Sequence, residues 1–344
     1  MPGHDIIVIG TSAGGLEPLT TIAAGLPADL PAALFIVQHT PATGVSLLPE
    51  ILDMAGALPA SHAVEGARIQ RGQIYVAPPD HHVLVEREHM HVVRGPKENG
   101  FRPAIDATFR TAARAYGPRV VGVILTGMLD DGTTGLLAVK RRGGVAIVQD
   151  PAEAAYPSMP ESACRYVTID AILKVADMPR LLLQLANQAA EEEGAEPMPE
   201  NIDLEANISD MDRAALQQAD QLGTLAPFSC PDCGGVLAEF YDGDLLRFRC
   251  QVGHAYSRDS LLASQADMLD QALWASFRAL DERANLVRRL VRDARVQNDT
   301  GRAWRFTRLF EQVEQQKEQV RLAMLKDDSD DSTTLAASFR PAGE

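Results

Sequence analysis

Through its first half the chain alternates short apolar runs with amphipathic stretches. Residues 6–9, 33–37, 73–76, 82–85, 120–125 and 145–148 predict strands, and 16–25, 45–54, 104–116 and 134–142 predict helices. The runs are mostly continuous rather than alternating, as in strands covered by helices on both faces. Strands separated by helices of this length imply βαβ units. The expected fold is α/β: a doubly wound, mostly parallel sheet over residues 1–187. Residues 82–94 predict a small hairpin insertion.

The pattern then changes. Residues 188–224, with the run Glu191-Glu192-Glu193-Gly194-Ala195-Glu196-Pro197, lack bulky apolar groups at the centre and predict a solvated acidic linker. Residues 225–256 are Cys-rich and strand-like. Helical spacing then carries Leu262, Met268, Leu269, Leu273, Phe277, Leu280, Leu286 and Leu290. Asn298-Asp299-Thr300-Gly301 breaks it, so 257–326 predict a helical hairpin, and 327–344 a disordered tail.

Composition narrows the function classes. With 344 residues, 46% of them apolar, the chain can bury a sizeable core. A formal net charge of -15 argues against a nucleic-acid or anionic-lipid partner. No apolar run approaches the roughly 20 residues of a membrane span. The N-terminus shows no signal-peptide pattern, and a cytoplasmic setting is expected.

Candidate chemistry sits just past three strands. Ile6-Ile7-Val8-Ile9 runs into Gly10-Thr11-Ser12-Ala13-Gly14-Gly15, a turn that suits either a phosphate cradle or an exposed nucleophile. A dinucleotide fingerprint needs a glycine where Ser12 stands, and an acid near the end of the second strand, where Gln38-His39 stand. Asp130 and Asp131 follow the strand at 120–125. In a parallel sheet these strand ends share one edge, so Ser12, His39 and an aspartate can converge. A serine hydroxyl is a weak nucleophile until a base takes its proton, imidazole is the natural base, and a carboxylate orients it. Backbone N–H groups of the Gly-rich turns are candidate oxyanion donors.

These residues resemble the catalytic domain of the CheB chemotaxis protein-glutamate methylesterases, over about residues 4–185. The resemblance rests on Gly10–Gly15, on Phe35-Ile36-Val37-Gln38-His39 and on Ile74-Tyr75-Val76-Ala77-Pro78-Pro79-Asp80-His81-His82. It also rests on Arg102-Pro103-Ala104-Ile105-Asp106, Leu125-Thr126-Gly127-Met128, Asp131-Gly132, Gln149-Asp150 and Met159-Pro160. It implies Ser12 as nucleophile, His39 as base and Asp131, the aspartate directly before glycine, as orienter in place of Asp130. It implies hydrolysis of γ-glutamyl methyl esters on receptor helices, with glutamine deamidation in some members, and no cofactor for catalysis. The expected partner is the cytoplasmic domain of a methylated receptor or another methylated protein. Leu129 and Pro79 stand where the family usually has glycine. The first strand begins near Asp5, so an N-terminal receiver domain, and with it phosphorylation control in cis, is not expected. The alternatives are a non-catalytic signalling scaffold and an esterase or amidase with a non-receptor substrate.

Cys230-Pro231-Asp232-Cys233 and Cys250-Gln251-Val252-Gly253-His254 form C-x2-C-x16-C-x3-H. Two ligand pairs on two turns joined by strand-like residues is zinc-ribbon spacing, and four protein ligands make a closed, structural Zn2+ site. Protein docking of a regulatory partner is the expected role of this half. Cys164 stands alone and reads as a core residue.

Overall fold

The computed structural model describes residues 3–190, 200–218 and 222–337, with side chains to 325. They fall into two compact units, Met1–Leu262 and Ala263–Glu344.

The first half runs β1 (Ile6–Thr11), α1 (Leu16–Gly25), β2 (Ala33–Gln38), α2 (Leu48–Ala55), β3 (Ala60–His62), β4 (Gln73–Val76), β5 (His82–Val85) and β6 (Met90–Val93). It continues with α3 (Ile105–Tyr116), β7 (Val120–Ile124), α4 (Thr133–Arg141), β8 (Val145–Gln149), α5 (Ser158–Tyr166), β9 (Ala171–Leu173) and α6 (Met178–Asn187). Seven strands form one sheet in the order β3-β4-β2-β1-β7-β8-β9, every pair parallel. β5 and β6 pair antiparallel as the expected hairpin. Along β1 and β2, Ile6, Val8, Phe35 and Val37 face one core and Ile7, Ile9, Leu34 and Ile36 the other. Both faces are buried, so the runs are apolar throughout. Residues of α3, α4 and α5 fill the first core, and residues of α1, α2 and α6 the second.

The chain winds outward from β1 to β2 and β4, then returns to lay β7 on the other side of β1. The order therefore reverses at β1, the position where open α/β sheets place their sites. α2 starts later than the periodicity predicts, at Leu48, with Pro49 in its first turn, where its missing N–H costs nothing. The three-residue strands β3 and β9 were too short to show in the pattern.

The acidic linker expected over 188–224 is corrected in part. Residues 200–218 hold α7 (Glu200–Ser209) and α8 (Arg213–Gln218). Ile202, Ala206 and Ile208 are fully buried, and so is Glu205. An apolar pair four residues apart anchors the helix, and Glu205 is tolerated because it meets two arginines. The acidic run itself, 191–197, lies outside the described residues.

Next come β10 (Thr224–Ser229), β11 (Val236–Asp242), β12 (Leu245–Cys250) and β13 (Ala255–Ser257), one antiparallel sheet in chain order. It is fastened to the α/β layer by buried charge. Arg110 Nη2 of α3 donates to Glu98 Oε1 at 2.6 Å, and Arg249 Nη2 of β12 donates to Glu205 Oε1 at 2.7 Å. Arg247 Nη1 donates to the other Glu205 oxygen. All five side chains are at most 1% exposed. Burial pushes both glutamates up, but the three guanidiniums outweigh it and hold them below the usual carboxylate range.

The second unit is helical. α9 (Arg258–Val296) begins just before it, and α10 (Thr300–Ala337) returns alongside, with Lys317 Nζ 2.7 Å from Asp281 Oδ1. α10 continues to Ala337, beyond the expected start of a disordered tail at 327. Residues 338–344 lie outside the described residues.

Candidate active site

The register of β1 and β2 pairs Thr11 with Gln38, so Ser12 and His39 leave neighbouring strands at the same level. The Ser12 N–H donates to Thr126 O at 3.0 Å, tying the turn after β1 to the turn after β7. Two glycines permit the close approach. A Cβ on Gly15 would lie 2.2 Å from Thr11 Oγ1, and one on Gly127 would lie 2.0 Å from Met159 Sδ and 2.9 Å from Ser12 Cβ.

His39 Nδ1 lies 3.1 Å from Ser12 Oγ, and His39 Nε2 lies 2.7 Å from Asp131 Oδ2. A carboxylate only accepts, so Nε2 carries the ring proton and Nδ1 presents its lone pair to the serine hydroxyl. The ring stacks on Phe101 with centroids 3.7 Å apart. His39 and Asp131 side chains are 4% and 2% exposed, which keeps their bond out of water.

Asp131 sits at the N-terminus of α3. Its Oδ2 accepts from the Ile105 N–H at 2.7 Å, and its Oδ1 accepts from Asn99 Nδ2 at 2.9 Å and the Asp106 N–H at 3.3 Å. Burial pushes its carboxyl up, yet His39, the Ile105 N–H and Asn99 together hold it below the usual range. Asp106 goes the other way: burial first, then the charge on Asp131, hold it well above the carboxylate range. Of the two, Asp131 is therefore the carboxyl held toward its ionised form and Asp106 the one held toward its neutral form.

Of the two adjacent aspartates, Asp131 meets His39. Asp130 turns aside and accepts from Ser257 Oγ at 2.7 Å. Burial, more than the nearby Asp259 and Asp131, pushes its carboxyl up to about 7. Leu129, where the resembled family carries glycine, has φ +62°, a left-handed conformation that costs a non-glycine residue about 1–2 kcal/mol.

Other quoted motifs brace this centre. Gln149 Oε1 accepts from the Thr126 N–H at 2.8 Å, and Arg102 holds Asp80 at 2.6 Å. The backbone N–H groups of Ala13 and Met128, on the two turns that meet at Ser12, have no partner among the described residues. Leu16, Met128 and Tyr156 are exposed apolar residues of the same turns and the α5 approach. The contributions of Asn99, Phe101 and Asp106 were missed at the level of sequence. A polar loop residue gives no periodic signal, and Asp106 was quoted only as part of a motif.

The cysteine positions also converge. Cys230, Cys233, Cys250 and His254 present ligand atoms all within 4.8 Å of one another. Cys233 Sγ to Cys250 Sγ is 3.7 Å, Cys230 Sγ to His254 Nδ1 is 3.7 Å and Cys250 Sγ to His254 Nδ1 is 3.6 Å. A tetrahedral ion with bonds of about 2.0–2.3 Å has ligand-to-ligand edges of about 3.5–3.8 Å, so the cluster fits a metal ion. Cys164 is partly buried against the sheet core.

A serine, an imidazole and a carboxylate chained at the reversal point of a doubly wound sheet have the geometry of a serine-nucleophile hydrolase. The chain belongs to the CheB methylesterase family, whose profile matches residues 7–182. It is 39% identical over 193 residues to a protein-glutamate methylesterase/protein-glutamine glutaminase of Moorella thermoacetica, covering 55% of this chain but 46% of that one. It is 37% identical over 183 residues to a putative enzyme of the same name from Leptospira interrogans, covering 53% of this chain and 95% of that one. The chain thus spans about half the length of several curated relatives it matches and nearly all of another. The crystal structure of the Thermotoga maritima CheB methylesterase catalytic domain superposes with a TM-score of 0.51 at 34% identity, covering 54% of this chain and 100% of that one. No helix among the described residues is long and apolar enough to cross a membrane.

Proposed function

We propose that this chain is a protein-glutamate methylesterase, with Ser12 as nucleophile, His39 as general base and Asp131 as orienter. The observation that carries the reading is the unbroken chain from Ser12 Oγ through the His39 ring to Asp131. Ser12 Oγ attacks the γ-carbonyl of a methylated glutamate while His39 Nδ1 takes its proton. The tetrahedral oxyanion is met by the unpartnered N–H groups of Ala13 and Met128. His39 then returns the proton to the departing methoxide, which leaves as methanol. Water, deprotonated by the same nitrogen, releases glutamate from the acyl-enzyme. A glutamine would follow the same route and release ammonia. The exposed Leu16, Met128 and Tyr156 give an apolar rim suited to a helix of a methylated receptor or similar protein.

The Cys230, Cys233, Cys250 and His254 cluster is a structural Zn2+ site in this reading, because thiolates and an imidazole in a closed tetrahedral set favour zinc. Reduced cysteines in such a set suit the cytoplasm. Exposed Trp274 and Trp304 on the helical unit suit docking of a regulatory protein.

Methanol release from a methylated receptor tests the reaction. Ser12→Ala should abolish it, and a serine-directed fluorophosphonate should label the parent chain at Ser12. Unchanged release from the variant sinks the assignment. Labelling of Ser12 without receptor turnover points to another ester, and no labelling at all favours a scaffold. Elemental analysis of freshly purified protein should find one zinc per chain.

A further inference from the structure

Asn99 has its full hydrogen-bonding capacity used, and its two ends are held by different parts of the chain. Its Nδ2 donates to Asp131 Oδ1 at 2.9 Å and to Asp106 Oδ2 at 3.0 Å. Its Oδ1 accepts from the Ser257 N–H and from Ser260 Oγ, both at 2.9 Å. Ser257 ends β13 and Ser260 lies in the first turn of α9, so the oxygen side is held entirely by the C-terminal sheet and its exit. A reversed amide would aim oxygen at two carboxyl groups and NH2 at an obligate N–H donor. The carboxyl groups on one side and the sheet on the other therefore hold Asn99 in the same orientation.

The same sheet grips the backbone around Asn99. The Asn99 N–H donates to Ala255 O at 2.7 Å, and the Ala255 N–H donates to Lys97 O at 3.1 Å. From the other side, Lys97 Nζ lies 3.0 Å from Asp232 Oδ1. Asp232 lies in the Cys230–Cys233 turn, and Ala255 follows His254. The two turns that would share the metal are thus the two that clamp residues 97–99. Asn99 is itself in a left-handed conformation, φ +53°, which asparagine tolerates but which needs neighbours to fix it.

We propose that the C-terminal sheet is a positioning arm of the active site. With a metal on Cys230, Cys233, Cys250 and His254, it holds Asn99 so that Asn99 fixes Asp131 beneath His39. Asn99, Ser257 and Ser260 are positioning residues, acting through Asp131 rather than on substrate. The methylesterase then responds to metal supply through a site that takes no part in the chemistry. The proposal rests on the triad reading above.

The test uses the full chain and two readouts, the rate of fluorophosphonate labelling at Ser12 across pH and the kcat and KM of methanol release. Ser260→Ala should lower labelling and kcat about 5- to 10-fold with KM unchanged, the effect of roughly one lost hydrogen bond. The acid limb of its pH profile should also move, since the carboxylate that meets His39 Nε2 is then free to shift. Ser260→Thr, which keeps the hydroxyl, should restore both. Chelation should reproduce the Ser260→Ala profile, and added Zn2+ should reverse it. Parent-like kcat and pH profile in Ser260→Ala overturn the positioning role. Parent-like labelling after metal loss, verified by elemental analysis, overturns the metal dependence. A parent chain that neither labels nor releases methanol overturns the triad reading itself, an outcome separate from either.

Discussion

The triad and the cysteine cluster are both small constellations of converging polar groups, built in opposite ways. Ser12, His39 and Asp131 come from three strand ends, up to 119 residues apart in the chain, and meet only because the whole sheet folds. The four cluster residues come from two turns of one small sheet and need little besides that sheet. A long-range site inherits precision from the core beneath it, and its failures are failures of orientation. A local site closes on its ligand, and its failures are failures of assembly. Asn99 lies where the two meet.

The sharpest way to break this contrast is to disturb orientation while leaving assembly alone. Asp131→Asn keeps size and can still meet the N-terminus of α3. It removes the charge that stabilises the imidazolium, and it can reverse which ring nitrogen carries the proton. We expect kcat for methanol release to fall on the order of 10^4-fold, with some loss of stability as well, because one end of the buried amide must set NH2 against N–H donors that Asp131 accepts from. A loss below about tenfold would mean that Asp131 is not the orienting carboxylate.

The next largest effect should come from the joint between the two regions. Glu205 is fully buried and answers Arg247 and Arg249 directly, with Arg110 Nη1 at 3.8 Å. Glu205→Gln takes away the carboxylate that Arg247 and Arg249 donate to and that Arg110 faces. Removing one partner of a buried network costs about 3–5 kcal/mol, because charge is left uncompensated. Denaturant titration should therefore show a lower midpoint, with the C-terminal sheet released before the α/β core. An unchanged midpoint would mean that the arginines are relieved by water rather than by Glu205.

How much of this was legible in the sequence follows from the same contrast. The parallel sheet was legible because both its faces are buried, leaving β1, β2, β7 and β8 as unbroken apolar runs. Spacing alone located the cysteine cluster. The convergence of Ser12, His39 and an aspartate was legible from their places at strand ends, and the choice of Asp131 over Asp130, the one that meets His39, came from the resemblance. Glu205 was hidden in a stretch that composition marks as solvated, because a charge buried against arginines looks the same in sequence as one facing water. Asn99 was hidden for a related reason. Its partners, Ser257 and Ser260, lie 158 and 161 residues away, and no period or motif links them.

The smallest of these effects concerns pH and separates two kinds of buried acid. Asp130 titrates near 3.8 when exposed and at about 7 in the fold. Its raised value means that the folded state holds a proton the unfolded chain has lost. That stabilisation is complete below about pH 4, fades as pH rises toward 7, and is absent above. Glu98 and Glu205, held low by their arginines, act in the opposite sense. Their contribution is complete above the exposed carboxylate range and is lost as pH falls through and below it. Asp130→Asn removes the first contribution and leaves the second. It keeps an oxygen for Ser257 Oγ and cannot ionise, so the variant should gain about 2 kcal/mol over the parent at pH 8 and little at pH 4. The linkage limit for a shift of this size is about 4 kcal/mol. Guanidinium midpoints measured across this range decide it. If the variant's midpoint falls between pH 5 and pH 8 as steeply as the parent's, Asp130 is ionised in the fold, and the decline belongs to Asp106, whose carboxyl is also held high.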